Sequence, residues 1–411
     1  MVPPHPPPPV RTELVEVPAG PELVEGTELV DVPAHATSAA QAELVEAPLS
    51  GLRVLDFSEL LPGPFMTQSL VELGATVLKV ERPPHGDNTR QLSAGLFNAV
   101  NRGKQSIVAD LKNPDDLARV RELAAQADVL VEAYRPGVMA RLGLGWAALR
   151  DLNPRLVYVS LTGFGQTGPN AQVPGHDINY VAASGVAALS GGADGRPGAG
   201  IGVPVADLVG ATYALAALNA ALLQRERSGR GQHLDVAITD CLAHWMNPRL
   251  AAFHHAGARD TQAQQRLAHG RAAYGIFRCA DGRHLSIAAL EDHFWRRLLC
   301  VFDLAPFDTP DYARSSARHA QAHAINQRLE AAVAALTLDE ALRRCTEADV
   351  PAVPLVPPSE LPESPQVRAR ELMHATPAGT LVRFPVRLDG MAAAPTEVPA
   401  LGGSRWSLDP A

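Results

Sequence analysis

The chain has little cysteine and no excess of positive charge, and both facts limit its function. Four cysteines occur among 411 residues, widely spaced and without a CxxC pair: Cys241, Cys279, Cys300 and Cys345. We therefore expect reduced thiols in a cytoplasmic protein, and no metal site. The formal net charge of −8 argues against a nucleic-acid-binding protein, because such proteins usually carry positive charge to offset phosphates. A few local arginines can still hold a small anionic ligand.

The chain also lacks three signals that would place it in other classes. No apolar run reaches the roughly 18 to 20 residues that span a bilayer, so we expect no membrane segment. The N-terminus is proline-rich rather than basic and then apolar, which argues against secretion. No GxGxxG motif follows the first predicted strand, so an oxidoreductase that binds a dinucleotide is not favoured.

The first 48 residues differ in composition from the rest of the chain. VPPHPPPPV is followed by the short acidic repeats ELVEV, ELVEG, ELVDV and ELVEA. These repeats are too short for a solenoid unit and are interrupted by prolines, so residues 1–48 are predicted to be a disordered low-complexity tail. The alternative is translated repetitive DNA upstream of the true start.

From residue 49 onwards, strand-like and helical stretches alternate. Apolar runs at residues 54–57, 76–80 and 129–132, and others starting at Ser106 and Leu156, are separated by turns and helical spacing. This alternation predicts a large α/β domain over residues 49–249, with a mainly parallel sheet in the Rossmann-like arrangement. Ligands of such sheets bind at the carboxyl ends of the strands.

A smaller α+β domain is predicted over residues 250–350. YGIFRCADGRHLSIAAL indicates a hairpin, because Ala280-Asp281-Gly282-Arg283 contains the Asp-Gly pair that favours tight turns. The strand-like VPAVPLV, from Val350, is expected to return the chain to the large domain. Residues 351–411 are therefore predicted to complete that domain.

Seven short motifs lie in order between residue 49 and the C-terminus. They are LPGPF from Leu61, KVERP from Lys79, NRGKQSIVADLK from Asn101, YRPGVMARLGLG from Tyr134, GFGQTGP from Gly163, GHDINY from Gly175 and SGRGQHLDVAITD from Ser228. Their order and content closely resemble the family III CoA-transferase superfamily, and GHDINY resembles its α-methylacyl-CoA racemase branch. Several motifs in order are much more specific than any single one.

The resemblance implies an acyl-CoA substrate and no cofactor beyond coenzyme A as part of that substrate. It also implies an interlocked homodimer with the active site between the subunits, which periodicity alone does not reveal. The residues that match CoA-contacting stretches of the family are Arg82, Ala109, Asp110, Leu111, Lys112, Arg135, Arg141, Gly175 and Tyr180. For Arg135 and Arg141, a solvated surface charge is the alternative.

Four acid–base residues are candidates for the chemistry. Asp207 either caps a helix that starts near Leu208 or, as the resemblance implies, is the active carboxylate. His176 is either a hydrogen-bonded structural histidine or, as its place in GHDINY implies, the base of the racemases. Asp177 is expected to orient the His176 ring or to balance its charge. Glu291 is either a carboxylate at a helix N-terminus, where the helix dipole favours negative charge, or, as the resemblance implies, a residue that reaches the site from the small domain.

Epimerisation of a 2-methylacyl-CoA thioester is the leading hypothesis. Removal of the α-proton needs a base on one face of the carbon and an acid on the other, and His176 with Asp207 can hold opposite protonation states. The alternative is a CoA-transferase, in which Asp207 attacks the thioester, forms a mixed anhydride and passes CoA onwards through an enzyme-bound thioester. That chemistry does not need His176. A third hypothesis is a catalytically silent acyl-CoA-binding protein.

Two further features bear on the site. Ala206 precedes Asp207 where relatives often carry glycine, which can alter how closely the backbone approaches the thioester. The glycine-rich SGGADGRPGAG, from Ser190, is either a plain connection or a lid. The identity of the acyl group is not predicted.

Overall fold

The computed structural model describes residues 46–190, 197–198, 202–377, 379–388, 395 and 397–410. These residues belong to one compact unit, which comprises residues 45–411. Most of the predicted tail and most of the glycine-rich stretch after Ser190 lie outside the described residues.

The centre of the large domain is a six-stranded sheet in which every neighbouring pair of strands is parallel. Its strands are β1 (Arg53–Asp56), β2 (Thr76–Glu81), β3 (Gln105–Val108), β4 (Val129–Glu132), β5 (Val157–Thr162) and β6 (His233–Ala237). The strand order is β3-β2-β1-β4-β5-β6, the doubly wound order in which the direction of winding switches between β1 and β4. The predicted α/β fold class is therefore confirmed.

Five of these strands coincide with the predicted apolar runs, whereas β6 was not predicted as a strand. It lies at the edge of the sheet, and only Val236 and Ala237 in it are buried. An edge strand in which only two of five residues are buried lacks the continuous apolar run that marks a buried parallel strand.

Helices cover both faces of the sheet. Successive strand residues such as Val54 and Leu55 point to opposite faces, into two separate apolar cores. The first core contains side chains of α1 and α9, and the second contains side chains of α4 and α6. The helices that precede the smaller region are, in chain order, α1 (Pro62–Glu72), α2 (Thr89–Leu92), α3 (Ala94–Asn101), α4 (Pro114–Gln126), α5 (Val138–Arg141), α6 (Trp146–Leu152), α7 (Asp177–Ala183), α8 (Val186–Leu189), α9 (Val205–Ser228), α10 (Ile238–His255) and α11 (Thr261–His269).

Helix α9 begins earlier than predicted and is long and apolar enough to cross a membrane by length and composition, contrary to our expectation of no such run. Its side chains Val209, Ala214 and Leu218 are buried in the first core. A Cβ atom on Gly210 would lie 2.7 Å from Ile238 Cγ1, so the glycine allows α9 and α10 to approach closely. The apolar composition is thus accounted for at least in part by packing within the domain.

The smaller α+β region has its own sheet and core. Its strands are β7 (Tyr274–Arg278), β8 (His284–Ala288) and β9 (Ala352–Pro354), and its helices are α12 (Asp292–Val301), α13 (Ser315–Ala320), α14 (Ala322–Val333) and α15 (Leu338–Glu347), with a 3₁₀ turn at Pro310–Tyr312. The hairpin is as predicted, and Gly282 has a φ of +80° in its turn. The return expected from Val350 is wrong in detail, because β9 pairs antiparallel with the free edge of β8 before the chain leaves this sheet.

The C-terminal segment, which follows β9, returns to the large domain. It contains a 3₁₀ helix (Pro358–Glu363), α16 (Pro365–Ala369), β10 (Met373–Thr376) and β11 (Gly379–Val382). Residues 402–409 then run beside β3: the Ser404 amide donates to the Ser106 carbonyl at 3.0 Å, and the Gln105 side chain donates to the Asp409 carbonyl at 2.8 Å. The segment thereby covers an edge of the large sheet.

Candidate active site

A cleft of about 750 Å³ opens at the carboxyl ends of β1, β4 and β5. Its walls include residues 59–62, 133–136 and 161–163, which lie at or just after the ends of these strands, together with residues around the N-termini of α7 and α9. The cleft therefore lies beside the point between β1 and β4 where the strand order reverses, which is where open parallel sheets bind ligands.

Asp207 is the third residue of α9 and lines this cleft. Within the described part of the chain, its carboxylate forms no hydrogen bond or ion pair. Burial raises the pKa of Asp207 to about 7, and the negative charge of Asp177 adds to the shift. The alternative that Asp207 caps a helix starting near Leu208 is wrong, because α9 begins at Val205 and its N-cap is Pro204.

The cap of α9 comes instead from Asp177, on α7. Its Oδ1 atom accepts hydrogen bonds from the Ala206 amide at 2.6 Å and from the Asp207 amide at 3.2 Å. Pro204 has no side-chain acceptor, so Asp177 satisfies amides that would otherwise lack partners at the helix start. Asp177 thus holds the backbone at Ala206 and Asp207. Among the described residues it makes no hydrogen bond to the His176 ring, which it was predicted to orient. Ala206 is fully buried, and its amide still makes this bond.

His176 immediately precedes α7 and lines the same cleft as Asp207. Its side chain is exposed, and its backbone amide donates to Asn179 Oδ1 at 3.0 Å. This contact closes the first turn of α7 and fixes the backbone from which the imidazole projects.

Tyr180 builds one wall of the cleft by packing against two glycines. Its hydroxyl donates to the Gly175 carbonyl at 2.6 Å. A Cβ atom would lie only 2.2 Å from Tyr180 Cε1 at position 163 and 2.6 Å from it at position 175, so the ring fits because both residues are Gly163 and Gly175. Burial raises the pKa of Tyr180, with a smaller contribution from Asp207.

The remaining CoA candidates are spread along the same edge of the sheet. Arg135 lines the cleft, whereas Arg141 ends α5 and does not. Arg82 follows β2; its Nε atom pairs with Glu59 Oε1 at 3.3 Å and its Nη2 atom donates to Asn88 Oδ1 at 2.6 Å. The run Ala109, Asp110, Leu111 and Lys112 follows β3, beyond the cleft lining.

Glu291 is separate from this cleft within one chain. It precedes α12 in the smaller region and is exposed. The loop that carries it is fixed by Arg318, whose Nη2 atom donates to the Leu290 carbonyl and to Asp292 Oδ1, both at 2.9 Å. One chain therefore brings together His176, Asp177 and Asp207 but not Glu291.

Sequence reasoning missed several residues that shape the cleft. Glu59 lines it directly. The next residue, Leu60, has a backbone φ of +67°, which is unusual for a residue other than glycine. Glu132 is buried at the end of β4, where burial raises its pKa to about 7 and where it accepts the amide of Tyr134, a cleft residue, at 2.8 Å. Position directly after a predicted strand was the signal that could have identified Glu59 and Tyr134. No group of three or more potential metal-ligating side chains occurs among the residues described.

Comparison with known proteins decides the family. Residues 49–405 match CoA-transferase family III. The chain belongs to this family. It is 37% identical over 339 residues to succinate–glutarate CoA-transferase of Agrobacterium fabrum, covering 79% of this chain and 84% of that one. It is 35% identical over 347 residues to acetyl-CoA:oxalate CoA-transferase of Acetobacter aceti, covering 83% and 89%.

The family also includes a racemase and several solved structures. Human α-methylacyl-CoA racemase is 35% identical over 269 residues, covering 64% of this chain and 67% of that protein. A CaiB/BaiF family protein from Brucella suis has a TM-score of 0.76 at 31% identity, covering 87% of this chain and 97% of that one. The Rv3272 protein of M. tuberculosis has a TM-score of 0.77 at 30% identity, covering 87% and 98%. The two transferases named above align over 79% and 83% of this chain and the racemase over 64%, so the comparisons favour the alternative, CoA transfer, over epimerisation.

Proposed function

We propose that this family III protein transfers CoA between carboxylic acids, with Asp207 as the nucleophile. The observation that carries the proposal is the state of the Asp207 carboxylate: it lines the cleft, has no partner in the described structure and is held by its backbone through Asp177. Partial burial removes water from the carboxylate and raises its pKa, which makes the ionised form a better nucleophile.

The reaction would proceed by four balanced substitutions at carbonyl carbon. Ionised Asp207 attacks the donor thioester, so that a mixed anhydride forms and CoA leaves as thiolate. The thiolate attacks the aspartyl carbonyl, which releases the donor acid and forms an aspartyl–CoA thioester. The acceptor carboxylate attacks that thioester, and CoA leaves again. The thiolate finally attacks the acceptor carbonyl of the new anhydride, which forms the product thioester and restores Asp207.

Other residues are assigned to binding. The pantetheine and acyl groups would occupy the cleft, while the phosphates and adenine would follow the sheet edge towards Arg82 and residues 109–112, with Arg135 and Arg141 near the cleft. We further propose the interlocked homodimer, in which the smaller region of a second copy supplies Glu291. The exposed position of Glu291, away from the cleft of its own chain, supports that arrangement.

Oxygen transfer tests the proposal. The protein is incubated with succinyl-CoA and ¹⁸O-labelled glutarate or oxalate, and the thioesters and the peptide that contains Asp207 are analysed by mass spectrometry. We expect the new acyl-CoA together with ¹⁸O in the Asp207 carboxylate, because one acceptor oxygen stays on the enzyme when the second anhydride is cleaved. Asp207→Asn should abolish both signals. Product formation without label in Asp207 would exclude the covalent route.

Epimerisation is the second candidate, favoured by the presence of His176 and Asp207 in one cleft. It predicts exchange of the α-proton of (R)- and (S)-2-methylacyl-CoA for deuterium in D₂O, with formation of the other epimer. His176→Ala separates the two functions: it should leave most CoA transfer intact, whereas loss of a proton-transfer residue lowers an epimerase rate by about 10²- to 10⁴-fold.

A further inference from the structure

Three polar side chains, one of which lines the cleft, form a closed ring. Arg82 Nε pairs with Glu59 Oε1 at 3.3 Å, and Arg82 Nη2 donates to Asn88 Oδ1 at 2.6 Å. Asn88 Nδ2 completes the ring by donating to Glu59 Oε2 at 3.0 Å. Each member therefore contacts the other two, and Glu59 also lines the cleft.

The backbone that carries Glu59 and Asn88 is fixed by a single buried carboxylate, Asp87. Its Oδ1 atom accepts the Leu60 amide at 3.2 Å and the Thr89 amide at 2.9 Å. Asp87 also forms an ion pair with buried Lys79 at 2.9 Å. Because Asp87 binds the neighbour of Glu59 and adjoins Asn88, the backbone that carries both partners of Arg82 is held in place.

This ring leaves one edge of the Arg82 guanidinium open. A guanidinium has five N–H donors arranged as a planar fork. Glu59 and Asn88 use the Nε side of the fork, while Nη1 has no hydrogen bond to any described residue. The side chain is 55% exposed, whereas that of Glu59 is 21% exposed. The N–H groups of Nη1 and the second N–H of Nη2 therefore have no partner among the described residues, and two adjacent nitrogens of this kind can bind a phosphate with two hydrogen bonds.

We propose that Glu59 and Asn88 are positioning residues, which hold Arg82 with its open edge ready for a phosphate group of CoA. The inference rests on the proposed function for the identity of the ligand. A free arginine loses the freedom of several rotamers when it binds, and a ring formed in advance removes much of that cost. The carboxylate of Glu59 would thus strengthen the binding of an anion through geometry, although its own charge is negative.

Calorimetric titration of the full-length protein with CoA, dephospho-CoA and pantetheine tests this role. We expect Glu59→Ala and Asn88→Ala each to weaken CoA binding by about 3- to 10-fold, the range that corresponds to ordering one long side chain. Glu59→Gln keeps an acceptor for Arg82 and should fall between wild type and Glu59→Ala. Pantetheine has no adenosine phosphates, so its binding should be unchanged. Dephospho-CoA reports which phosphate Arg82 meets, because loss of the effect assigns the 3′-phosphate and its persistence the diphosphate.

A matched control is Glu226→Ala, which removes another exposed partner of an arginine, Arg155, at 3.0 Å. Its CoA affinity should equal that of wild type. Steady-state transfer kinetics should show an increase in KM for acyl-CoA with kcat unchanged in the Glu59 and Asn88 variants.

Two results would overturn the inference. If Glu59→Ala or Glu59→Gln binds CoA more tightly than wild type, Glu59 competes with the phosphate instead of positioning Arg82. If pantetheine binding falls by the same factor as CoA binding, the ring only maintains the fold. Failure of CoA transfer with intact CoA binding would instead count against the proposed function, so the two failures are distinguishable.

Discussion

The Oδ1 atom of Asp177 accepts the backbone amide of Asp207 at 3.2 Å, so one acidic residue holds another in place through the main chain. The contact joins the first turn of α7 to the first turn of α9. It keeps two negative side chains near each other, which is one cause of the raised pKa of Asp207. Position and reactivity of the proposed nucleophile therefore depend on the same neighbour.

Asp177→Asn separates these two effects. The amide oxygen of asparagine can still accept the α9 amides, but the charge is gone, so the pKa of Asp207 should fall below about 7. Transfer needs ionised Asp207, and kcat/KM of the wild type should rise with pH through about 7 and then level off. In Asp177→Asn this rise should shift to lower pH, whereas Asp177→Ala should also cost about 1 kcal/mol of stability through loss of the cap. Unshifted pH profiles would contradict this account.

Asp207→Asn should stabilise the protein while it abolishes transfer. Because the folded pKa of Asp207 is raised from 3.8 to about 7, the stability it contributes is complete below pH 4 and is lost as pH rises through 7. The variant avoids that loss, so at pH 8 its free energy of unfolding should exceed that of wild type by about 1–3 kcal/mol, allowing for partial exposure. At pH 5 the gain should be smaller. Thermal unfolding at both pH values checks the sign, and an equal gain at pH 5 and 8 would argue against a titrating Asp207.

Gly163→Ala should damage the cleft wall. The new Cβ would overlap the Tyr180 ring, so either the ring or the β5 loop must move, at a cost of about 1–3 kcal/mol. Denaturant unfolding and the KM for acyl-CoA should both report the change. Gly95→Ala, on α3, is the control because nothing lies within 4 Å of its new Cβ, and it should be neutral or slightly stabilising. Equal stability of the two variants would show that the wall adapts.

Lys104→Met should be strongly destabilising. Its buried ammonium donates to Asp56 Oδ2 at 3.2 Å, to Thr67 Oγ1 at 2.7 Å and to Asn101 Oδ1 at 2.9 Å. Burial lowers the pKa of Lys104 to about 7, although Asp56 favours the charged form. Removing one member of a buried ion pair typically costs about 3–5 kcal/mol. Urea unfolding measures the loss, and Asp56→Asn added to Lys104→Met should recover part of it; a loss below 1 kcal/mol would mean that the pair is not needed.

The predictability of the fold followed the strength of the local signals. Continuous apolar runs such as β4 were placed at the residues where they occur, and the Asp-Gly turn of the hairpin was placed correctly. The partly buried β6 and the pairing of β9 with β8 depend on partners distant in sequence, which local patterns do not contain.

The site was predictable only as far as its motifs reached. GHDINY and the position of Asp207 pointed to residues that do meet in one cleft. The backbone contact of Asp177 and the ring around Arg82 could not be inferred, because they join side chains to atoms far away in the chain. The NRGKQ motif also contains a lysine, Lys104, whose contacts are entirely internal.

The position of the C-terminal segment on β3 has a consequence for how the chain is made. Ser106 and Ser404 are separated by 298 residues but are hydrogen-bonded to each other. During synthesis, β3 leaves the ribosome long before residues 402–409, which cover its edge. Folding of the first half-sheet must therefore proceed with that edge uncovered, so a nascent chain stalled before residue 402 should be more prone to aggregation than the released protein.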